Sequence, residues 1–221
     1  MKTTIALTLA LISVAVAGAA PEAAAPRPAK RACCRACCAE EKPAAAVSAA
    51  PLSARSLYQV DATWTTDAGE PFALATLRGR PVVLAMFFAN CEYACPVLVS
   101  DMARMRASLP ADVRARTQFV LVSFDPVRDT PAALKAYRAR VGLDAGWTLL
   151  HGDASSVQEL AMLLGVKYKQ DAKGQFSHSN LITVLNPQGE IAYQRAGLMG
   201  DVSELARAVE RAEQSDQVAV R

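Results

Sequence analysis

Long apolar runs are scarce in this 221-residue chain, and only one approaches the length that crosses a membrane. That scarcity excludes a polytopic membrane protein. Charge of one sign is also in short supply where it would matter. The formal net charge is +3, but residues 1–56 carry seven Lys or Arg against three Asp or Glu, and residues 57–221 carry 17 against 18. The small basic excess lies at the N-terminus, so the remainder has no electrostatic footprint for nucleic acid. Histidine occurs only twice, which leaves few candidates for an imidazole ligand. At 52% hydrophobic residues the chain is nonetheless rich enough in apolar side chains to fold, and its length suits one core domain.

The single long apolar run reads as an export signal over residues 1–19. Lys2 supplies a positive start, Ile5 to Ala17 is uncharged and apolar, and Ala17-Gly18-Ala19 fits a small-x-small cleavage site before Pro21. At about 13–16 residues the run is shorter than the ~20 of a spanning helix, so a cleaved signal is expected before a retained anchor. No Cys follows it immediately, which argues against lipoprotein processing. Either way the chain is expected outside the cytoplasm, in a periplasmic setting where disulfides persist.

From Gly18 to Ser56 there are 15 Ala and five Pro, and almost no large apolar side chains. Residues 20–56 are therefore expected to be a disordered tether. Within it stands a duplicated Arg-Ala-Cys-Cys unit that contains Cys33, Cys34, Cys37 and Cys38. The folded domain is expected to begin near Leu57 and to occupy 57–221.

Inside that domain the apolar pattern predicts strands at Tyr58 to Trp64 and Phe72–Ala75, around a turn at Thr65 to Gly69, as an N-terminal β-hairpin. Pro81 to Phe88 and Gln118 to Phe124 read as strands covered on both faces. Helices are expected at Pro96 to Leu109, from a Thr130 cap and Pro131 to Arg140, from Asp153 to Leu164 with a Gly165 stop, and from Asp201 to about Ala212. Asn186-Pro187-Gln188-Gly189 marks a second hairpin between Leu181–Leu185 and Ile191–Gln194. This order describes an α/β fold, a thioredoxin-like sandwich with a central mixed sheet flanked by helices.

Three places carry chemistry. Cys91-Glu92-Tyr93-Ala94-Cys95-Pro96 follows the first buried strand, at the end of an α/β sheet where ligands bind. Pro96 as first helical residue would make Cys95 the cap, facing free N–H groups that favour thiolate. The two sulfurs can share one metal ion, act as a redox pair or close a structural disulfide. His178 precedes the strand at Leu181, and two thiolates with one imidazole make a three-coordinate site suited to Cu(I), or to Cu(II) with an added oxygen. Its bland role is that of a satisfied surface histidine. Asp125 ends the second buried strand, and either stabilises the turn, orients a ligand from behind or serves as a weak oxygen ligand. His151, Met102, Met105, Trp64 and Trp147 read as structural, and Met199 is assigned no role.

Cys91-x-x-x-Cys95-Pro96, Asp125-Pro126-x-Arg128-Asp129-Thr130-Pro131 and His178 with its following strand and Asn186-Pro187-x-Gly189 together resemble the Sco (SenC/PrrC) family. The resemblance spans roughly residues 57–213. It implies a copper-binding thioredoxin fold with Cys91, Cys95 and His178 as ligands and Asp125 beside the site. It also implies a partner, the cytochrome c oxidase subunit carrying the CuA site, and exchange with other copper chaperones or thiol reductases. Two functions follow: a copper metallochaperone, or a thiol–disulfide oxidoreductase in which Cys91 and Cys95 are the catalytic pair. The Cys33–Cys38 tract lies outside that family pattern. It can form an auxiliary Cu(I)-thiolate site, disulfides or a zinc site, or be an oxidised tract without consequence.

Overall fold

The computed structural model describes residues 51–219 apart from Lys173. The expected export signal and the Cys33, Cys34, Cys37 and Cys38 tract therefore lie outside the described residues. A seven-stranded mixed sheet forms the centre, in the order β2-β1-β5-β4-β3-β8-β9. Its strands are β1 (Trp64–Thr66), β2 (Pro71–Phe72), β3 (Val82–Phe87), β4 (Gln118–Ser123), β5 (Trp147–His151), β8 (Leu181–Leu185) and β9 (Ile191–Ala196). Five helices flank it: α1 (Ala94–Ser108), α2 (Ala111–Arg116), α3 (Pro131–Val141), α4 (Ala154–Leu164) and α5 (Ser203–Ala219). A separate two-stranded sheet pairs β6 (Tyr168–Gln170) with β7 (Phe176–His178).

The two continuous apolar runs become the two central strands. All six residues of β3 are buried, as are five of the six in β4, because helices cover both faces. They pair in parallel from Val82↔Gln118 to Phe87↔Ser123, so their carboxyl ends meet at one edge of the sheet. β8 runs antiparallel to β3, from Val82↔Leu185 to Ala85↔Ile182. The start of β8 is thereby brought to the same edge. Trp64, Trp147, Met102 and Met105 are core residues, as expected.

Local signals act where the sequence placed them. Thr130 Oγ1 accepts from Ala133 N with Pro131 in the first turn, and Asp153 Oδ1 accepts from Ser156 N. Gly142 and Gly165 end α3 and α4 in the left-handed conformation that glycine adopts without a side-chain penalty. One expectation changes, and two elements come in addition to those expected. Leu57–Gln59 is a 3-10 turn, not the start of a strand, because the Ser56 side chain accepts from Tyr58 N and closes the chain into a turn. The helix α2 had no apolar periodicity to announce it, since Val113 is its one buried residue. The segment before His178 is a hairpin whose strands carry too few apolar residues to alternate visibly.

The core strands and the caps should differ sharply in what they contribute. Leu121→Ala, in the fully buried centre of β4, is expected to lower the unfolding free energy by about 2–5 kcal/mol. Thr130→Ala, which deletes one cap, should lower it by about 1 kcal/mol. Urea unfolding followed by circular dichroism checks the ordering, and equal losses would contradict the dominance of core burial over capping.

Candidate metal centre

The parallel β3–β4 pair delivers two loops to one edge. The loop after β3 carries Cys91 and leads into α1; the loop after β4 carries Asp125 to Thr130 and leads into α3. The β6–β7 hairpin reaches the same edge from the other side, with His178 as the last residue of β7. Cys91, Cys95 and His178 each offer one ligand atom, and those atoms all lie within 4.8 Å of one another. They form the one such cluster found among the described residues.

The sulfurs are not equivalent, and one sequence expectation is corrected here. The helix α1 starts at Ala94, so Cys95 is its second residue and Tyr93 stands at the cap without a side-chain bond. Pro96 is third, still in the turn where a missing N–H costs no hydrogen bond. The Cys95 N–H, one of the free donors of that first turn, donates to Cys91 Sγ at 3.2 Å. Cys91, and not Cys95, thus receives the helix amide. Cys95 is wholly buried, and burial pushes its thiol far up, against a smaller opposing effect of a hydrogen bond with the Phe88 backbone.

His178 Nε2 lies 3.6 Å from Cys95 Sγ, while Nδ1 lies 3.2 Å from Ser179 O. With the proton on Nδ1 and donated to that carbonyl, the Nε2 lone pair faces the sulfurs. Burial holds the imidazole below the ordinary histidine range, so it is neutral at neutral pH and needs no deprotonation to bind an ion. Aromatic rings surround it: Phe124 at 5.0 Å and Phe88 at 6.1 Å between centroids. A cleft of about 630 Å³, lined by Phe88, Cys91, Tyr93, Phe176 and His178 among others, opens the site to solvent. Two thiols and one imidazole in a partly apolar, accessible recess are a donor set for a soft ion.

Asp125 lies at this edge but outside the cluster. Its buried carboxylate accepts from Arg128 N at 3.1 Å and pairs with Arg128 Nε. Sequence reasoning assigns no role to Asp129, four residues on, yet the structure gives it one. Its Oδ2 accepts from Ala89 N at 2.8 Å and from Ser123 Oγ at 2.5 Å, which pins the backbone two residues before Cys91. Burial raises its carboxyl, and those two bonds act in the opposite sense. The second aspartate of Asp-Pro-x-Arg-Asp-Thr-Pro was the available signal. His151 stays outside the cluster, with Nδ1 3.0 Å from Asp129 O. Met199 is 80% exposed at φ 56°, held by a bond from its N–H to Asp101 Oδ2.

The SCO1/SenC family pattern matches residues 53–214. The chain belongs to the SCO1/SenC family. A Stutzerimonas stutzeri protein, named as a candidate copper-binding protein, is 35% identical over 126 residues, which are 55% of this chain and 61% of that protein. This Sco chain thus matches about three fifths of that relative's length. Bradyrhizobium japonicum ScoI, solved with copper bound, superposes with a TM-score of 0.56 at 22% identity, covering 68% of this chain and 96% of that one. BsSco, a Sco-family cytochrome c oxidase assembly protein described as having a disulfide switch, superposes at 0.60 and 23% identity over 69% and 91% of the two chains. These likenesses establish the thioredoxin-like Sco fold. Among the described residues no helix is long and apolar enough to cross a membrane.

The unequal sulfurs give a direct check. With iodoacetamide at neutral pH, the reduced chain should be alkylated at half-buried Cys91 well before Cys95, since thiolate and access govern the rate. Peptide mass mapping over time reads the order, and first labelling at Cys95 would overturn the inequivalence.

Proposed function

We propose that the chain is a copper metallochaperone that binds one copper ion through Cys91, Cys95 and His178 for assembly of the CuA centre of cytochrome c oxidase. The observation that carries this reading is the convergence of two sulfurs and an imidazole nitrogen within 4.8 Å at the mouth of an open cleft. Soft thiolates select copper, and three protein ligands leave room for a fourth from an acceptor. An incoming ligand can then replace one donor at a time, so the ion passes without being freed. Membership of the family and the copper carried by Bradyrhizobium ScoI support copper as the cargo. The role of BsSco as a cytochrome c oxidase assembly protein supports the oxidase subunit as partner. Other copper chaperones or thiol reductases would load and reduce the site.

A second reading, an extracytoplasmic thiol–disulfide oxidoreductase, is favoured by the sulfur arrangement. A half-buried Cys91 stands in front of a buried Cys95, the order of an attacking and a resolving thiol. The Cys91 thiolate would attack a partner disulfide and release one partner thiolate. Cys95 would then attack the Cys91 sulfur, freeing the second partner thiol and leaving Cys91–Cys95 oxidised by two electrons. Both readings place the protein outside the cytoplasm, in the periplasm, on the strength of the N-terminal sequence alone.

Anaerobic titration of the reduced chain is expected to show tight copper binding that is abolished by Cys91→Ser or Cys95→Ser and weakened by His178→Ala. Loading should release protons, because Cys95 is held protonated by burial, so apparent affinity rises with pH across the neutral range. A Cys91–Cys95 disulfide should block loading. Tight, pH-independent binding by either serine variant would sink the ligand assignment, whereas turnover of partner disulfides by His178→Ala would favour the oxidoreductase.

The Cys33, Cys34, Cys37 and Cys38 tract is proposed, from its sequence alone, as an auxiliary Cu(I)-thiolate site. Replacing all four by serine should lower the Cu(I) capacity of the reduced chain and leave the pH-dependent site intact. An unchanged capacity, measured by competition with a chromogenic Cu(I) chelator, would reassign those cysteines to disulfides or to no role.

A further inference from the structure

The hairpin that carries His178 is not a member of the seven-stranded sheet. Its main-chain bonds run within itself, as in Ser179 N to Lys167 O and Asp171 N to Gln175 O, each at 2.8 Å. The β8–β3 pairing brings the end of the hairpin to this edge, and what then holds the hairpin against the cysteine loop is side chains. Tyr168 stacks on Phe124 at 5.3 Å and Phe176 meets Phe124 at 5.1 Å, which attaches the hairpin to the end of β4. A second attachment reaches the ring at the start of the cysteine loop. The Arg128 guanidinium carbon stands 5.5 Å from the centre of the Phe176 ring and 6.0 Å from that of Phe88. One cation thus lies against both the ring on the strand of His178 and the ring three residues before Cys91, which themselves meet at 5.2 Å.

Arg128 is itself held. Its Nε and backbone N–H both donate to Asp125, whose side chain is 2% exposed. Gly174, in the turn of the hairpin, lies against the guanidinium, and a Cβ there would stand 3.2 Å from Nη1. Arg128 Nη2 is buried with no hydrogen-bond partner among the described residues. Nε is thus fixed on Asp125 while the guanidinium lies over the two rings, a combination that lysine does not reproduce.

We propose that Asp125 and Arg128 form a strut that sets the β6–β7 hairpin, and with it the His178 imidazole, at ligating distance from Cys91 and Cys95. Arg128 is a positioning residue of the metal site, and Asp125 acts on that site through Arg128. The consequence for copper rests on the copper-binding reading above; the strut itself does not. Because Phe124 still anchors the hairpin, loss of Arg128 loosens His178 without unfolding the domain.

The test uses the full chain with the four tract cysteines changed to serine, so that only the domain site reports. Arg128→Ala is expected to keep copper on the two sulfurs, to bind Cu(II) about 10–100-fold more weakly and to lose the imidazole nitrogen coupling in its electron paramagnetic resonance spectrum. In the metal-free protein its amides at 168–178 should exchange faster, with far-ultraviolet circular dichroism unchanged. Arg128→Lys should fail to restore either signal, and Asp125→Asn should reproduce both in weaker form. Nitrogen coupling, affinity and hairpin exchange all equal to those of the parent would overturn the strut. If the parent binds no copper, the copper reading fails, and unaltered exchange at 168–178 in Arg128→Ala would still sink the strut while faster exchange would support it. Should Arg128→Ala not fold, Arg128→Lys carries the same comparison.

Discussion

The antiparallel pairing of β8 with β3 is the constraint on which the site depends. β3 ends in the cysteine loop, and β8 begins just after the hairpin that carries His178. Because the strands run in opposite directions, the end of one lies beside the start of the other, and residues 83 apart in sequence converge. The register from Val82↔Leu185 to Ala85↔Ile182 is protected by burial on both faces: a slip of one residue would exchange those faces and move buried Thr183 away from Gln194 Nε2, which donates to its Oγ1 at 3.0 Å. The parallel β3–β4 pair adds the Asp125–Asp129 loop to the same edge. Arg140, from α3, also reaches this edge, where it donates to Ala89 O at 2.7 Å.

Around this frame the two thiols are given different surroundings by one local decision, the point at which α1 starts. Beginning at Ala94 turns the Cys95 side chain into the core and aims its N–H back at Cys91 Sγ. The helix end thus supplies one sulfur with a hydrogen bond and the protein interior takes the other. A site with one guarded and one approachable sulfur suits either transfer of an ion or stepwise thiol exchange, since an incoming group meets Cys91 first. Both proposed functions draw on the same asymmetry.

What was legible in the sequence follows from how each feature is enforced. The buried strands at Pro81 to Phe88 and Gln118 to Phe124 were readable because coverage on both faces demands unbroken apolar residues. Thr130-Pro131, Asp153, Gly165 and Asn186-Pro187-Gln188-Gly189 were readable because each acts within a few residues of itself. The clustering of Cys91, Cys95 and His178 was reached through motif resemblance. The expected Cys95 cap was misplaced because proline is tolerated throughout the first turn, so Pro96 fixes the helix start only to within that turn. The β6–β7 hairpin was missed for a different reason. It buries its aromatic residues against loop ends and not against a sheet face, so it leaves no periodic trace.

That difference also separates the parts of the site by how firmly they are held. The cysteine loop is fastened by main-chain groups: Ala89 N to Asp129, Cys91 N to Phe88 O at 3.2 Å and Cys95 N to Cys91 Sγ. The hairpin that carries His178 is fastened by ring contacts and by the Arg128 guanidinium against Phe176, which are broad in direction and tolerate small displacements. Between the two, the imidazole is the ligand that can withdraw at least cost, because no ladder bond to the central sheet must break for it to move. A carrier must bind its cargo and also give it up. Placing two ligands on rigid backbone and the third on a hairpin held by side chains reconciles those demands within one small site.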